Sequence, residues 1–315
     1  MRLGFGLKAF VEQMLFRPRF YHLPLMLLLS PLSLFYALFM AFRRMLRRQK
    51  DFALPIVSIG NLIVGGSGKT PFIIALSSKY DKVSIISRGY GRQSKGLVEV
   101  SQEGKILTDV QRSGDEAMLM ALALPKASVW VSEDRALAIE KAKSQGAKLI
   151  ILDDGFNRVK IKKFEVLLEP EHIYNYFPFP LGAFRESYFS RYYADINLKE
   201  ESDFRREVFI ADPQEQMILV TAISQPKRLD RYLPKGVVFK YYLEDHAYFD
   251  EKILEDLLEK YQANSILCTE KDYVKMQGFK LKISQMKLKF VINDDILEHI
   301  DKYIEDTRGK NNNEK

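Results

Sequence analysis

Lys69 and Thr70 directly follow the glycine-rich run 65–68, and these residue types in this order could bind phosphate groups. Glycines allow backbone N–H groups to wrap around phosphate oxygens, a lysine can reach the outer phosphates, and a threonine hydroxyl can ligate Mg²⁺. The apolar run 55–59 predicts a buried strand, and the run 72–76 predicts a helix whose positive N-terminal end points at the same anion. The segment is therefore predicted to be a phosphate-binding loop that acts with Mg²⁺.

This loop departs from the usual pattern, because the position that normally holds its first glycine is Ile63. The flanking strand and helix still favour a phosphate-binding loop over the alternative, a glycine-rich strand-to-helix turn with an incidental lysine. The predicted nucleotide contacts are Ile63, Val64, Gly65, Gly66, Ser67, Gly68, Lys69 and Thr70.

Two adjacent acids, Asp153 and Asp154, follow the predicted strand 148–152 and precede Gly155. Ligands of doubly wound sheets lie beyond the carboxyl ends of the strands, where a carboxylate can direct Mg²⁺ either directly or through water. We therefore predict that Thr70 and Asp153 or Asp154 hold the metal. The alternative is a turn-forming surface loop, since acids before a glycine also favour turns.

Arg88 and Asp115 are two further candidates in the same half of the chain. Arg88 follows the predicted strand 83–87 and is flanked by glycine, which suits a phosphate contact, although this signal is weak by itself. Asp115 opens the predicted helix 114–123, where capping of the helix would also explain an aspartate. The local pattern therefore leaves catalysis and capping open for Asp115.

His246 follows the predicted strand 237–241 in the run Glu244-Asp245-His246, although a lone histidine is more often structural than catalytic. The single cysteine, Cys268, rules out an internal disulfide and a cysteine-based zinc site. No spacing of histidine, cysteine and aspartate is typical of a transition-metal site. The chemistry indicated by the sequence is thus phosphate and Mg²⁺ chemistry.

The elements that must position these residues follow from the spacing of apolar runs. Five predicted strands alternate with three predicted helices up to residue 170, which is typical of a doubly wound parallel sheet, and a second alternating region predicts a smaller α/β lobe. The fold class is therefore α/β. The expected divisions are an N-terminal segment 1–50, a phosphate-loop domain 51–200, a smaller lobe 201–305 and a disordered tail 306–315.

The chain has 315 residues, of which 47% are hydrophobic, so it can bury a large core. Its net charge of +7 could suggest nucleic-acid binding, but residues 1–50 carry +8 and the remainder carries −1. The basic charge therefore belongs to the N-terminal segment. We accordingly expect no nucleic-acid partner.

The run Leu23–Phe42 contains no charged residue and is followed by the basic cluster 43–50. Its twenty residues match a hydrocarbon core of about 30 Å in helical form. The basic cluster would then lie on the cytoplasmic side. Pro24 and Pro31 complicate a straight span, so helices lying in the membrane interface remain the alternative.

Seven motifs occur in order along the chain, and together they resemble the lipid A 4′-kinases, the tetraacyldisaccharide 4′-kinases of Gram-negative bacteria. The resemblance covers residues 20–292 and is more specific than any single motif. The motifs are the loop 60–71, Ser87–Gly91, Gly114–Glu116, Asp153–Gly155, Leu181–Glu186, Asp245–His246 and Thr269–Lys275.

The resemblance implies a two-lobed kinase on the cytoplasmic face of the bacterial inner membrane. Such an enzyme transfers the γ-phosphoryl group of ATP to the 4′-hydroxyl of a tetraacyldisaccharide 1-phosphate, giving lipid IVA in lipid A biosynthesis. The implied partners are the lipid A disaccharide precursor and inner-membrane lipid, with no obligate protein partner.

The resemblance also implies roles for individual residues. Asp115 would be the base that takes the proton of the sugar hydroxyl, and His246 would pair with it across the two lobes. Lys69 and Thr70 would hold phosphates and Mg²⁺, with Asp153 or Asp154 on the metal side. The expected substrate or phosphate contacts are Arg88, Arg135, Arg185 and Glu186.

Two motifs depart from the family pattern. The double aspartate is usually followed by Gly-x-Gln-His, whereas this chain has Asn157 and Arg158 in place of the last two residues. The run Pro180–Glu186 lacks the second proline of Pro-x-Gly-Pro-x-Arg-Glu but keeps Arg185 and Glu186. The roles of Asn157 and Arg158 therefore stay open.

Two other functions compete with the kinase. A membrane-associated P-loop ATPase acting on a protein or metal-transfer partner would show lipid-independent hydrolysis and a dimer. A non-catalytic nucleotide-binding membrane module would bind ATP without turnover, and Lys69, Asp115 and Asp153 argue against it. Composition excludes neither.

Overall fold

The computed structural model describes residues 2–64, 68–170 and 172–313. The predicted nucleotide contacts Gly65, Gly66 and Ser67 lie outside these ranges. The chain forms two compact units, each assembled from separate stretches: unit 1 comprises Met1–Lys69, Ile151–Phe204 and Asn293–Lys315, and unit 2 comprises Thr70–Ile150 and Arg205–Ile292. These units differ from the division expected at residues 50, 200 and 305.

The helices include two N-terminal ones, of which the second carries Pro24 in its first turn, where proline is tolerated. The helices of the described residues are α1 (Arg2–Phe16), α2 (Leu23–Met45), α3 (Lys69–Ser77), α4 (Val110–Ser113), α5 (Asp115–Ala123), α6 (Arg135–Ser144), α7 (Glu251–Lys260), α8 (Glu270–Tyr273) and α9 (Asp294–Asn313).

The strands include those predicted from apolar runs, together with short or partly exposed strands that lack such a signal. They are β1 (Ile56–Gly60), β2 (Val83–Ser87), β3 (Val98–Gln102), β4 (Lys105–Ile106), β5 (Ser128–Val131), β6 (Leu149–Asp153), β7 (Phe164–Glu169), β8 (Ile196–Lys199), β9 (Phe204–Ala211), β10 (Met217–Thr221), β11 (Val237–Tyr242), β12 (Ser265–Thr269) and β13 (Ile283–Ile292).

Unit 1 contains the parallel strands β1, β7 and β8. Val57 of β1 lies opposite Phe164 of β7, and Val166 of β7 lies opposite Ile196 of β8. Every residue of β1 is buried, as expected for a strand covered on both faces. The chain leaves β1 toward Lys69, so this strand positions the start of the phosphate-loop segment.

The C-terminal helix α9 also belongs to unit 1, and the hydroxyl of its Tyr303 accepts a hydrogen bond from the Ile56 N–H at 3.3 Å. This helix continues to Asn313. The prediction of a disordered tail over residues 306–315 is therefore wrong for 306–313. The polar side chains there gave no apolar signal for a helix, and residues 314–315 lie outside the described ranges.

Unit 2 contains strands from both halves of the sequence. In its first half, β2 pairs in parallel with β5, while β3 pairs antiparallel with β4 and β5. In its second half, β10 lies between β11 and β12, and β12 pairs with β13, all in parallel. The fold is thus mixed α/β with predominantly parallel strands, which confirms the expected class, while β3 and β4 add an antiparallel edge.

The helix α2 packs along one side and exposes apolar residues along the other. The Ser33 hydroxyl donates to the Pro178 carbonyl at 2.9 Å, and the Tyr36 hydroxyl donates to the Arg185 carbonyl at 2.6 Å. The stretch Phe20–Met45 is long and apolar enough to cross a membrane, by length and composition. Its large exposed side chains include Leu27, Leu28, Leu32, Leu34, Phe35, Leu38, Phe39 and Phe42.

Candidate functional site

In unit 2 the structure brings together three side chains, Asp115, His246 and Lys275, which we call the Asp115 cluster. Oδ2 of Asp115 lies 2.9 Å from Nδ1 of His246 and 2.8 Å from Nζ of Lys275. Asp115 is 5% exposed, so its contacts are largely shielded from water. The predicted pair of Asp115 with His246 is present, but it lies within one unit instead of spanning two lobes.

Gly114 makes the turn that orients Asp115 between α4 and α5. Its φ is +83°, and a Cβ at this position would lie 2.8 Å from the Tyr90 carbonyl oxygen. Gly114, rather than Asp115, occupies the N-cap position of α5. The Asp115 carboxylate therefore faces His246 and Lys275, and the capping alternative raised by the sequence does not hold.

His246 is held by hydrogen bonds of its backbone. Its φ is +64°, and its N–H donates to the Ala222 carbonyl at 3.0 Å. The buried carboxylate of Asp272 accepts from the Ala222 N–H at 3.0 Å and from the Thr221 hydroxyl at 2.6 Å. Asp272 thus fixes the end of β10, and the Ala222 carbonyl there holds the His246 backbone in a left-handed conformation, which is uncommon for residues other than glycine.

The surroundings of Asp115 favour its ionised form. Burial works to raise the pKa of Asp115, but hydrogen bonds from His246 and Lys275, together with their charges, outweigh it and hold the pKa below its usual range. The side chain of Lys275 is fully buried and also donates to the Ala247 carbonyl at 3.1 Å. The cluster therefore presents an anionic carboxylate that can accept a proton from a hydroxyl group.

In unit 1 a second set of charged side chains surrounds Asp154. The Lys69 Nζ donates to the Asn61 Oδ1 at 3.0 Å and lies 3.7 Å from the Asp154 Oδ1. The Arg185 Nη1 donates to the Asp154 Oδ2 at 2.5 Å. The structure therefore brings together Lys69, Asp154 and Arg185, three of the predicted site residues, and adds Asn61.

The backbone around Asp153 and Asp154 requires small neighbours. A Cβ on Gly155 would lie 2.6 Å from the Ser58 Oγ, and a Cβ on Gly60 would lie 2.7 Å from the Phe156 Cβ. Asp154 has a φ of +53°, and its N–H donates to the Ile59 carbonyl at 3.0 Å. These close approaches bring the chain after β6 against the chain of β1.

The donor set fits Mg²⁺ and phosphate better than a transition metal. Mg²⁺ is usually held by one or two carboxylates together with substrate phosphates and water, and Asp153 and Asp154 provide such carboxylates. Thr70, at the first turn of α3, carries a hydroxyl group. Across residues 2–64, 68–170 and 172–313 there is no group of three or more histidine, cysteine or acidic side chains that could hold a metal ion.

The remaining predicted residues lie in different settings. Arg88 is exposed after β2, while Arg135 is buried at the start of α6 and donates to the Ser132 carbonyl. Val64 is half exposed, its N–H donates to the Ala183 carbonyl at 2.9 Å, and Gly68 has a φ of +77°. Ile63 forms an isolated bridge with Phe184.

The prediction that Glu186 contacts substrate is wrong. Its carboxylate is fully buried and accepts from Arg44 through Nε at 2.5 Å and Nη2 at 3.1 Å. A carboxylate enclosed in this way is not available to a ligand. Arg44 lies in the basic cluster that sequence analysis expected at the membrane surface, and pairing between distant segments leaves no sequence signal.

Sequence reasoning also missed roles for Lys275 and Asn61. Lys275 belongs to the motif Thr269–Lys275, which was noted without a function for its individual residues. Asn61 directly follows β1, at the carboxyl end of a buried strand. Sequence analysis predicted site residues at the same position after other strands. That position could have identified Asn61, whereas only the structure shows that Lys275 contacts Asp115.

The family described as Tetraacyldisaccharide-1-P 4′-kinase matches residues 25–210 and 194–305. The tetraacyldisaccharide 4′-kinase of Helicobacter pylori (strain HPAG1) is 47% identical over 299 residues, covering 94% of this chain and 95% of that protein. The protein of the same name from Aliarcobacter butzleri is 44% identical, covering 91% and 93% of the two chains.

A solved structure shows a similar fold. The crystal structure of the "apo" form of LpxK from Aquifex aeolicus in complex with ATP matches with a TM-score of 0.74 and 26% identity, covering 89% of this chain and 99% of that chain. Because these similarities extend over nearly the whole chain, the chain belongs to the tetraacyldisaccharide 4′-kinase family.

Proposed function

We propose that this chain is an ATP-dependent kinase that transfers the γ-phosphoryl group of ATP to the 4′-hydroxyl of a tetraacyldisaccharide 1-phosphate, giving lipid IVA in lipid A biosynthesis. The observation that carries the proposal is the buried, anionic Asp115 carboxylate, held by two donors in a chain of this kinase family. Phosphoryl transfer depends on positioning and charge stabilisation, with a residue that accepts the proton of the attacking hydroxyl.

In this mechanism Asp115 is the general base. Its Oδ2 is occupied by His246 and Lys275, so Oδ1 is the oxygen that accepts the proton of the 4′-hydroxyl as that hydroxyl attacks phosphorus. His246 and Lys275 hold the carboxylate in one orientation. Their hydrogen bonds and charges lower the pKa of Asp115, so the carboxylate stays ionised until it accepts the proton.

The phosphates of ATP are held by the segment 63–70. Lys69 would contact the outer phosphates, and Thr70 with Asp153 or Asp154 would hold Mg²⁺. A bound Mg²⁺ neutralises charge on the phosphate oxygens. Asn61 and Asp154 keep the Lys69 ammonium group at the start of α3, and Arg88, Arg135 and Arg185 serve the anionic groups around the transfer.

The family match favours the kinase over the membrane-associated ATPase considered from the sequence. Relatives that cover more than 90% of this chain carry the name of the kinase. The presence of Asp115, His246, Lys69 and both adjacent acids also supports turnover over passive nucleotide binding.

We place the enzyme on the cytoplasmic face of the inner membrane, with α2 lying in the interface instead of crossing the bilayer. The inner side of α2 makes polar contacts through Ser33, Tyr36 and Arg44, so this side is bound to protein and cannot face lipid. Its outer side is apolar, and the apolar run is followed along the chain by the basic cluster 43–50. Interfacial helices combine apolar and basic residues in this way. This location suits an acylated substrate, since each buried CH₂ costs about 0.8 kcal/mol to remove from the bilayer.

The function is tested by transfer of labelled γ-phosphate from Mg-ATP to tetraacyldisaccharide 1-phosphate in detergent micelles. Wild type should form lipid product, whereas Asp115→Asn and Lys69→Ala should each lose activity by a factor of about 10² or more. Glu116→Gln is the matched control, because this neighbouring acid is partly exposed and pairs only weakly with Lys271 at 3.5 Å. Hydrolysis of ATP without lipid product, at a rate independent of lipid, would reject the kinase and favour the ATPase.

A further inference from the structure

Lys275 makes buried contacts that the amino-acid sequence did not predict. Its side chain is fully buried, and its ammonium group has two described polar partners, the Asp115 Oδ2 at 2.8 Å and the Ala247 carbonyl oxygen at 3.1 Å. The rings of Tyr248 and Phe249 lie 5.7 Å and 5.9 Å from the Nζ. A buried ammonium group requires a charged partner to offset its lost hydration, and here that partner is the catalytic carboxylate.

The two donors reach the same oxygen of Asp115. His246 Nδ1 and Lys275 Nζ both contact Oδ2, and among the described residues no hydrogen bond goes to Oδ1. Two donors arriving from different segments restrict rotation of the carboxyl group more than one donor would. Such support by neighbouring residues is how a reactive group is kept in productive geometry.

We propose that Lys275 is a positioning residue for phosphoryl transfer, one that fixes the Asp115 carboxylate so that Oδ1 faces the acceptor hydroxyl. The proposal rests on the proposed function, since it assigns Lys275 a part in that same reaction. Lys275 acts through Asp115 and does not itself touch the reacting atoms. The motif Thr269–Lys275 then serves both members of the pair, because its Asp272 fixes the strand end that holds His246.

The charged and titratable groups near Asp115 define what a pH profile would report. They include His246 and Lys275, in direct contact, and Asp245, whose Oδ1 lies 3.8 Å from the His246 Nε2. They also include Tyr248, whose pKa is raised first by its burial and then by the charges of Asp115 and Asp109. Lys271 pairs instead with Glu116 at 3.5 Å. Removal of the Lys275 charge takes away a cation that lowers the pKa of Asp115, so this pKa should rise.

The test compares Lys275→Met, Lys275→Arg and the control Lys271→Met in the lipid kinase assay. For Lys275→Met, kcat should fall about tenfold to a hundredfold with KM for both substrates unchanged, a smaller loss than removal of the base itself. The acid limb of its kcat/KM profile should move to higher pH. Lys275→Arg should recover part of kcat, and Lys271→Met should match wild type.

A second comparison separates positioning from general stability. In the Asp115→Asn background, Lys275→Met should cause no further loss of kcat, because both changes remove the same function. An independent loss in that background, an unchanged acid limb, or a kcat equal to wild type would overturn the proposal. If Lys275→Met does not fold, a folded Lys275→Gln, which keeps a donor but removes the charge, overturns the proposal equally when its acid limb and kcat match wild type. Failure of wild type to phosphorylate the lipid would instead reject the proposed function.

Discussion

Arg44 and Glu186 form a buried ion pair between α2 and the segment that carries Arg185. Arg44 is 2% exposed and Glu186 is not exposed at all. The guanidinium group also donates to the Phe156 carbonyl at 3.2 Å and lies 4.1 Å from the centre of the Phe156 ring. Every charge in this group therefore has a partner, which is the condition under which buried ions are tolerated.

Removal of Arg44 should destabilise the protein strongly. Arg44→Met removes both hydrogen bonds from Arg44 to the buried Glu186 carboxylate, and we expect a loss of about 3–5 kcal/mol in the free energy of unfolding. Arg43→Met is the control, since Arg43 is one-third exposed and lies 3.6 Å from Glu186, and we expect a loss of about 1 kcal/mol or less.

Urea unfolding followed by circular dichroism measures both effects. The double variant Arg44→Met/Glu186→Gln should recover part of the lost stability, because the unpaired charge is then removed. Equal unfolding midpoints for the Arg44 and Arg43 variants would contradict the role given to the buried pair.

The prediction of individual site residues depended on what each residue contacts. Asp115 and His246 were predicted because recognisable motifs contain them, and Lys69, Asp154 and Arg185 lie together in unit 1 as the motifs implied. Glu186 was assigned wrongly because its partner lies 142 residues away, beyond any local pattern. Buried pairs of this kind depend on tertiary packing, which a single sequence does not display.

Among the elements, the turn between α4 and α5 has a crowded backbone next to Asp115. Gly114 combines a φ of +83° with a carbonyl oxygen at 2.8 Å from where a Cβ would lie, whereas Gly146 combines a φ of +89° with open space within 4 Å. The two glycines thus share a positive φ but differ in crowding. They make a matched pair for testing what the turn contributes.

Gly114→Ala should reduce both stability and kinase turnover, because the Tyr90 carbonyl must move and Asp115 moves with it. Gly146→Ala should lose stability by about 1 kcal/mol through its positive φ alone and keep full turnover. Thermal unfolding and lipid phosphorylation assays of both variants check this. Normal turnover in a folded Gly114→Ala variant would show that the turn does not position Asp115.

Element prediction succeeded where burial leaves a continuous apolar run. The strands β1, β2 and β6 are buried at every residue and were predicted correctly. The strand β4 has two exposed residues and β9 is mostly half-exposed, so neither produces such a run. Pairing with neighbouring strands, rather than their own sequence, defines these two elements.

For the whole molecule, sequence order did not reveal which stretches pack together. Unit 2 combines residues before 151 with residues after 204, and these were expected to belong to separate domains. Parallel strands bring distant segments side by side, so contacts follow topology rather than position along the chain. The Asp115 cluster, in which Asp115 contacts a histidine 131 positions away, is one result.

If the exposed apolar face of α2 binds the membrane, its side chains should determine how tightly the whole enzyme binds to lipid. Replacement of Leu28, Phe35 and Phe39 by serine should weaken binding to vesicles of anionic phospholipid by about 10² or more, since each exposed side chain contributes roughly 1.5–3 kcal/mol when buried in lipid. The unfolding temperature should change little, because these side chains face away from the protein.

Vesicle flotation measures the binding, and Leu137→Ser is the control because Leu137 is an exposed apolar residue of unit 2. Unchanged flotation of the triple variant would argue against membrane binding through this face. Accessibility of engineered cysteines near residue 20 from the far side of sealed vesicles would show instead that α2 crosses the bilayer.

The one-sided packing of α2 bears on how a detergent-free form of the enzyme could be made. Truncation before β1 would remove Arg44, the partner of Glu186, and the Tyr36 hydroxyl, which donates to the Arg185 carbonyl. We therefore expect the shortened chain to lose kinase activity together with its apolar helix. Polar redesign limited to the outer face would instead keep α2 in place. The helix that we propose to bind lipid thus also stabilises the segment that carries Arg185 and Glu186.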